Sequence, residues 1–326
     1  MTEILFLSYD KNDACSWYRS AGIAADLRKQ SGLSITSVSW KDIDLDWSTI
    51  LQFDIVMIQR PYTRQSLDLC RYVKALNVAL WIDYDDNLFA VPIENKAYHI
   101  YNNQANQGNI KGILNLADVV SVTTEDLKAA YLPFNSNIQV IPNAFNDSVF
   151  KREQWSERSK LAVWRGTDTH ILDVWSYAQA ISQATEEHPD WQFLFWGFEP
   201  YMLSTTENKG FKEGQDIILY HSNLQRMKPA VMQIPLQDNV FNRCKSIVSV
   251  IEGSYAGAVS IIPDFWDVPG TLKYNSNETY YQALNAVLSG QIDIKTENAK
   301  SWEYIQDCLT LSRVNKMRVE LIKTLL

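Results

Sequence analysis

The sequence predicts an α/β protein of two Rossmann-like, doubly wound domains facing a cleft. Three observations carry this prediction. Short apolar runs alternate with amphipathic stretches through most of the chain, which is the pattern of βαβ units. The runs are continuously apolar, as in parallel strands covered by helices on both faces. The alternation breaks once, where residues 150–160 are mostly polar and charged, and then restarts.

The first apolar run, residues 4–7, reads as a buried strand. A polar loop leads to a helix over 18–29, with Ala21, Ala24, Ala25 and Leu27 on its apolar side. Strands follow at 34–40 and 53–59, a helix at 66–75 and a strand at 78–83. A strand at 118–123, a helix at 124–131 and a short strand at 138–141, ending at Pro142-Asn143, complete the first half. After the break come a strand at 161–164, a helix at 171–185, and strands at 191–196 and 217–220. A helix at 239–250, a strand at 259–262, a helix at 280–289 and a mostly helical stretch at 299–326 finish the chain. The expected division is 1–148 and 149–326, with the terminal helix free to pack back on the first domain.

Length and composition fit this reading. The chain has 326 residues, room for about two domains. Hydrophobic residues make up 46% and charged residues 21%, enough apolar surface for real cores. The 30 basic and 38 acidic residues give −8, which counts against broad binding to DNA phosphates. A local basic cleft is compatible with that balance, because a field depends on where charges sit. Cys15, Cys70, Cys244 and Cys308 are far apart with no C-x-x-C, which excludes a zinc ribbon and argues against a disulfide scaffold. No H-x-x-x-H or H-E-x-x-H occurs. The start lacks a signal peptide's basic region, and no apolar run reaches the ~20 residues of a membrane span. A cytoplasmic protein is expected.

In open α/β sheets, ligands sit at the carboxyl ends of strands. Four segments lie there. Asp83-Tyr84-Asp85-Asp86-Asn87 places three carboxylates in four residues, either a polar or cationic binding loop or an Asp-rich turn. Its Asp83-x-Asp85 has the D-x-D form that one glycosyltransferase class uses to hold a metal. Trp164-Arg165-Gly166-Thr167-Asp168-Thr169-His170 runs from a strand into a helix. There Gly166 allows close approach of a ligand, Thr167 or Asp168 can cap the helix, and Arg165 suits a phosphate, the alternative being an ordinary capped helix start with a surface Arg. Asn242-Arg243-Cys244-Lys245-Ser246, with Glu252 beyond it, offers cations, a hydroxyl and an acceptor for ribose hydroxyls. Cys15-Ser16-Trp17-Tyr18-Arg19 follows the first strand, and Arg60 follows the strand at 53–59.

Taken in order, these segments resemble the GT-B-fold glycosyltransferases, specifically the retaining group-one (family 4-like) kind in its compact bacterial and phage form. Tyr18-Arg19, Ile82 to Phe89, Val119 to Thr124, Val140-Ile141-Pro142-Asn143-Ala144-Phe145, Arg165-Gly166-Thr167-x-Thr169-His170-x-x-Asp173 and Asn242-x-x-Lys245-Ser246 with Glu252 and Gly257 carry the likeness. The resemblance implies an acceptor domain at 1–148 and a donor domain at 149–326. It implies a nucleotide-sugar donor such as a UDP-sugar, held by Arg165, Gly166, Thr167, His170, Asn242, Lys245, Ser246 and Glu252. Arg165 and Lys245 would neutralise the leaving diphosphate, Ser246 would add a hydrogen bond and Glu252 would bind the ribose. Asp83, Asp85 and Asp86 would be the catalytic residues facing the sugar, with Tyr18, Arg19 and Arg60 lining the acceptor side. No cofactor and no divalent metal are expected, because cations can neutralise the leaving group. The acceptor would be a glycan or a hydroxymethylated pyrimidine in phage DNA. The chain departs from the family where Cys244 stands in place of a Glu, where His170 occupies the spacing of a donor Lys, and where the Asp cluster replaces a first-domain His. Two rivals follow: a non-catalytic nucleotide or sugar-phosphate binder, and a metal-dependent enzyme built on Asp83 and Asp85.

Overall fold

A computed structural model describes residues 2–10, 13–39, 46–203 and 206–326. Trp40, the last residue of the strand expected at 34–40, lies outside these. The first domain holds a parallel sheet of β1 (Glu3–Ser8), β2 (Ser34–Ser39), β3 (Ile55–Gln59), β4 (Ala79–Tyr84), β5 (Val119–Val122) and β6 (Ile138–Val140), in the order β2-β1-β3-β4-β5-β6. The second holds β7 (Ser159–Arg165), β8 (Gln192–Trp196), β9 (Lys209–Lys212), β10 (Pro229–Gln233), β11 (Val259–Pro263) and β12 (Leu272–Tyr274), also parallel, in the order β12-β11-β10-β7-β8-β9. The strand order reverses between β1 and β3 in one sheet and between β7 and β10 in the other. Crevices open at such switch points, outside the carboxyl ends of the strands.

Both faces of each sheet are covered, which is why the strands read as continuous apolar runs. In β1, Leu5 and Leu7 face a core shared with Leu67, Leu69 and Val73 of the Arg64–Ala75 helix and Ile110, Ile113 and Leu114 of the Gln104–Leu116 helix. Ile4 and Phe6 face the opposite core, with Ile23, Ala24 and Leu27 of the Ala21–Ser31 helix. That second core also takes Leu311, Val314, Leu321 and Ile322 from the last helix, Leu311–Leu325. The chain's end therefore packs on the first domain. Backbone bonds between Phe145 and the Leu309–Leu311 turn, each 2.7 Å, tie this return to the outgoing crossover.

Several elements differ from the sequence reading. The helix expected at 18–29 is two helices, Ala14–Arg19 and Ala21–Ser31, broken at Ser20, whose hydroxyl bonds Gln59 at 2.9 Å. The helix at 171–185 is also two, Ile171–Ser176 and Ala178–Glu187, separated at Tyr177. Residues 217–220 do not form a strand but begin the helix Ile217–Met227. Its buried Ile217, Tyr220, His221 and Leu224 fall at helical spacing, and Asp216 caps its first turn. The apolar run alone resembled a strand because four residues cannot distinguish the two periods. The helix expected at 239–250 is Val240–Arg243 followed by Val248–Ala256, and the interruption places Lys245 and Ser246 in a loop. The Gln104–Leu116 helix and strands β9, β10 and β12 were not anticipated. No helix among the described residues is long and apolar enough to cross a membrane. All four cysteines are free.

Candidate functional site

A cleft of about 560 Å³ lies between the carboxyl ends of the two sheets. Of the residues singled out from sequence, Tyr18, Arg60, Asp85, Asp86, Arg165, Gly166, Thr167, His170, Lys245 and Ser246 line it. Asp83, Arg19, Asn242 and Glu252 do not. They lie behind its walls and hold the lining residues in place.

On the first-domain wall, Arg60 follows β3 with φ at 48°, in the left-handed region that costs most residues free energy. Its backbone N–H donates to the Asp83 carbonyl at 2.8 Å. Its guanidinium donates to Asp85 at 2.7 Å and Asp86 at 2.9 Å, so the two adjacent strand ends are tied together. Asp86 also lies 3.6 Å from Lys245 across the cleft. Burial pushes the Asp86 carboxyl upward, but Lys245 and Arg60 outweigh it and hold the group below its ordinary value. Asp86 is therefore an ionised hydrogen-bond acceptor rather than a poised proton acceptor, and Asp85 is occupied by Arg60.

Asp83 was expected at the chemistry, and Arg19 on the acceptor side. The structure places both inside. Arg19 forms a two-pronged pair with Asp83, at 2.9 and 2.6 Å, and donates to the Ile141 carbonyl at 2.7 Å and to Asn143 at 3.1 Å. The Ser121 hydroxyl also bonds Asp83. Each of the pair is only 2% exposed. A buried pair with this many partners is a strut, fixing β4, β5 and the 141–143 crossover against the Ala14–Arg19 helix.

On the second-domain wall, Arg165 ends β7 and reaches Glu252 with two bonds of 2.7 Å. Glu252 was expected to hold ribose. It is fully buried and accepts four hydrogen bonds, the others coming from Tyr18 at 2.9 Å and Tyr220 at 3.1 Å. Its acceptor capacity is spent on protein donors, so it orients Arg165 instead. Burial disfavours charge on Arg165, but Glu252 more than compensates and the guanidinium stays protonated. Ser246 accepts from Asn143 at 2.8 Å, and Lys245 sits 4.5 Å over the Phe241 ring. The Val248–Ala256 helix starts immediately after with no side-chain cap, and Val248 and Ser249 of its first turn line the cleft. Arg165, Lys245, Ser246 and this helix start all line the cleft, an arrangement of cations, a hydroxyl and free N–H groups that can receive an anion.

Gly166 and Gly197 let the loops after β7 and β8 pass each other. A Cβ on Gly166 would lie 2.6 Å from the Trp164 ring, and one on Gly197, at φ 101°, would lie 2.5 Å from the Gly166 carbonyl. The Thr167 hydroxyl bonds that of Thr169 at 2.7 Å rather than capping the turn. His170 Nδ1 lies 2.8 Å from Asp173. Asp173 also accepts from Asn242 Nδ2 at 2.7 Å and the Gln237 N–H at 2.9 Å. Asn242 thus reaches the cleft only through Asp173 and His170. Burial and nearby Lys245 push the His170 imidazole below its ordinary value, although Asp173 opposes them.

Two lining residues not singled out from sequence carry buried polar atoms: Gln233 Nε2 and Trp196 Nε1 have no hydrogen-bond partner among the described residues. Gln233 ends β10, a strand not anticipated, and Trp196 ends β8 with its ring packed in the second domain's core. Position at the ends of strands neighbouring β7 is the signal that could have marked both. Among the described residues, no group of three or more His, Cys, Asp or Glu could hold a metal ion.

No family model and no curated protein matches the sequence. The fold does match solved structures. Anabaena HepE in complex with UDP is 12% identical with a TM-score of 0.64, over 99% of this chain and 100% of that one. Neisseria meningitidis UDP-GlcNAc 2-epimerase bound to UDP-GlcNAc is 10% identical with a TM-score of 0.55, over 99% and 100%. Staphylococcus aureus TarM, in complex with fondaparinux, alpha-GlcNAc-glycerol and UDP, is 11% identical with a TM-score of 0.58, over 82% of this chain and 55% of TarM. At these identities the likeness is one of fold. The chain has a two-domain GT-B-like architecture, built on two six-stranded parallel sheets.

Proposed function

We propose that the protein is a nucleotide-sugar glycosyltransferase of the retaining, family 4-like kind, with an acceptor side in residues 1–148 and a donor side in 149–326. The observation that carries this reading is the anion site of Arg165, Lys245, Ser246 and the uncapped Val248–Ala256 helix, facing the Asp85-Asp86-Arg60 wall across one cleft. The donor's diphosphate occupies the anion site. As the bond from the anomeric carbon to the phosphate oxygen breaks, both electrons pass to the diphosphate, where Arg165 and Lys245 stabilise the charge. The acceptor oxygen takes the vacated bond and its hydroxyl proton leaves with the departing diphosphate or to water. Asp86 accepts a hydrogen bond from a sugar hydroxyl, and Tyr18 and Arg60 shape the acceptor side. The cations make a divalent metal unnecessary, so activity should survive EDTA.

The test is a panel of UDP-, GDP- and dTDP-sugars with glycan acceptors and with hydroxymethylated DNA, read by nucleoside diphosphate release and by mass of the product. Release that depends on one acceptor class supports transfer and identifies the acceptor. The net charge of −8 favours the glycan arm. Whole-length likeness to a 2-epimerase supports a second reading, in which the nucleotide-sugar alone is rearranged. That reading predicts an epimerised, intact nucleotide-sugar without acceptor. Binding of nucleotide-sugar with neither outcome would identify a non-catalytic binder.

A further inference from the structure

We propose that His170 is a proton-binding ligand for the donor's diphosphate: its Nε2 takes a proton from water as the diphosphate docks, and the imidazolium then hydrogen-bonds a phosphate oxygen and helps neutralise the leaving group. The proposal rests on the nucleotide-sugar reading above and adds a catalytic group to it.

The geometry fixes which ring nitrogen is available. Asp173 can only accept, so the nitrogen 2.8 Å from it, Nδ1, carries the hydrogen. Asp173 is itself pinned by Asn242 and by the Gln237 N–H, at 2.7 and 2.9 Å, so the imidazole is held in one orientation. Nε2 is left with its lone pair and no partner among the described residues, on a residue that lines the cleft five positions after Arg165. A lone pair facing a phosphate oxygen sets two acceptors against each other. The contact becomes favourable only when Nε2 carries a proton, and it is then charge-assisted.

The surrounding charges explain why the proton arrives with the ligand. The groups facing His170 are Asp173 on its own helix, Lys245 from the loop before the Val248–Ala256 helix, and Asp86 from the loop after β4. Asp168, in the same turn, is paired with Lys96 of the first domain. In the free cleft, burial and Lys245 keep the imidazole neutral near pH 7. Two phosphate charges placed between Lys245 and Arg165 screen the ring from Lys245 and add their own attraction for a proton. Donor affinity and proton uptake are therefore linked. Binding is strongest below the free-state value of His170 and weakens as pH rises through the higher bound-state value.

Isothermal titration of the full chain with UDP-N-acetylglucosamine, UDP-glucose and GDP-mannose, between pH 6 and 8.5, tests this. Their diphosphate diesters keep a constant charge over that range. For a sugar that binds, Kd should rise with pH by at most about tenfold per unit. Paired buffers of different ionisation enthalpy should report uptake of up to one proton between the free-state and bound-state values of His170. His170→Gln should bind more weakly and lose both effects. His170→Lys, charged throughout, should bind with no pH dependence. A pH-indifferent wild-type Kd, or proton uptake that persists in His170→Gln, overturns the proposal and leaves the nucleotide-sugar reading standing. Failure of every sugar to bind at any pH overturns both.

Discussion

At the residue scale, two acids expected to meet the ligands, Asp83 and Glu252, lie behind the cleft and act through arginines. Removing one partner of a buried pair leaves an uncompensated charge, which costs about 3–5 kcal/mol. For Glu252→Gln the loss should fall toward the low end, because the Arg165 side chain is 27% exposed and water can partly replace the carboxylate. The ligand-free protein should therefore show a lower Tm, alongside weaker nucleotide binding. A direct ribose contact would instead weaken binding and leave the ligand-free Tm unchanged. His221 supplies a second prediction. It is buried against Phe150, with ring centroids 4.5 Å apart, and its Nε2 lies 3.1 Å from the Tyr18 hydroxyl. Burial holds its imidazole down at about 4. An unfolded histidine titrates near ~6.5, so between these values the unfolded chain binds the extra proton. Stability should fall as pH drops from about 6.5 to 4, by roughly 3 kcal/mol from this residue. Denaturant unfolding across that range should show a shallower acid loss in His221→Gln.

At the element scale, strand ends and helix interruptions decide what reaches the cleft. The Ser20 break turns the Ala14–Arg19 helix so that Tyr18 lines the cleft while Arg19 points into the strut with Asp83. The break after Val240–Arg243 does the same for Lys245 and Ser246, and it leaves the next helix start without a side-chain cap. The crossing of the loops after β7 and β8 has no room for a side chain. Gly166→Ala forces the new methyl against Trp164, whose indole is itself packed in the domain core. Overpacking of this kind costs about 1–3 kcal/mol. The variant should unfold at lower denaturant and bind nucleotide-sugar more weakly, because Arg165 and Thr167 flank the displaced residue.

At the scale of the whole molecule, the cleft is closed by contacts between the domains. Tyr18 bonds Glu252, Asn143 bonds Ser246 and Thr124 bonds the Cys244 carbonyl, while Asn95 and Lys96 reach the Asp168–Thr169 turn. The last helix, contributed by the chain's end, completes the first domain's core. Ile322, 1% exposed, packs there with Ile4, Phe6 and Ile23. Ile322→Ala should cost about 2–5 kcal/mol. Hydrogen exchange should show the loss as faster exchange in β1 and β3, strands distant in sequence from the substitution.

The sequence by itself determined the architecture. Apolar runs such as 4–7 and 53–59, repeated in alternation with amphipathic stretches, have the pattern of strands buried on both faces, and that repeated alternation, rather than any single run, points to two parallel sheets. It also marked the loops after β4 and β7 as strand ends, where Arg165 and the Asp85-Asp86 pair line the cleft, whereas Lys245 was expected inside a helix and lies in a loop. Only the tertiary structure decided what each side chain does there. Burial and partners assign roles, and these are set by residues far away in the chain: Tyr18 and Arg165 occupy Glu252, Arg19 occupies Asp83, and Asn242 speaks to His170 through Asp173. A carboxylate in water and one locked by four donors are the same letter in the sequence. The first is open to a ligand and the second holds an arginine at the cleft wall.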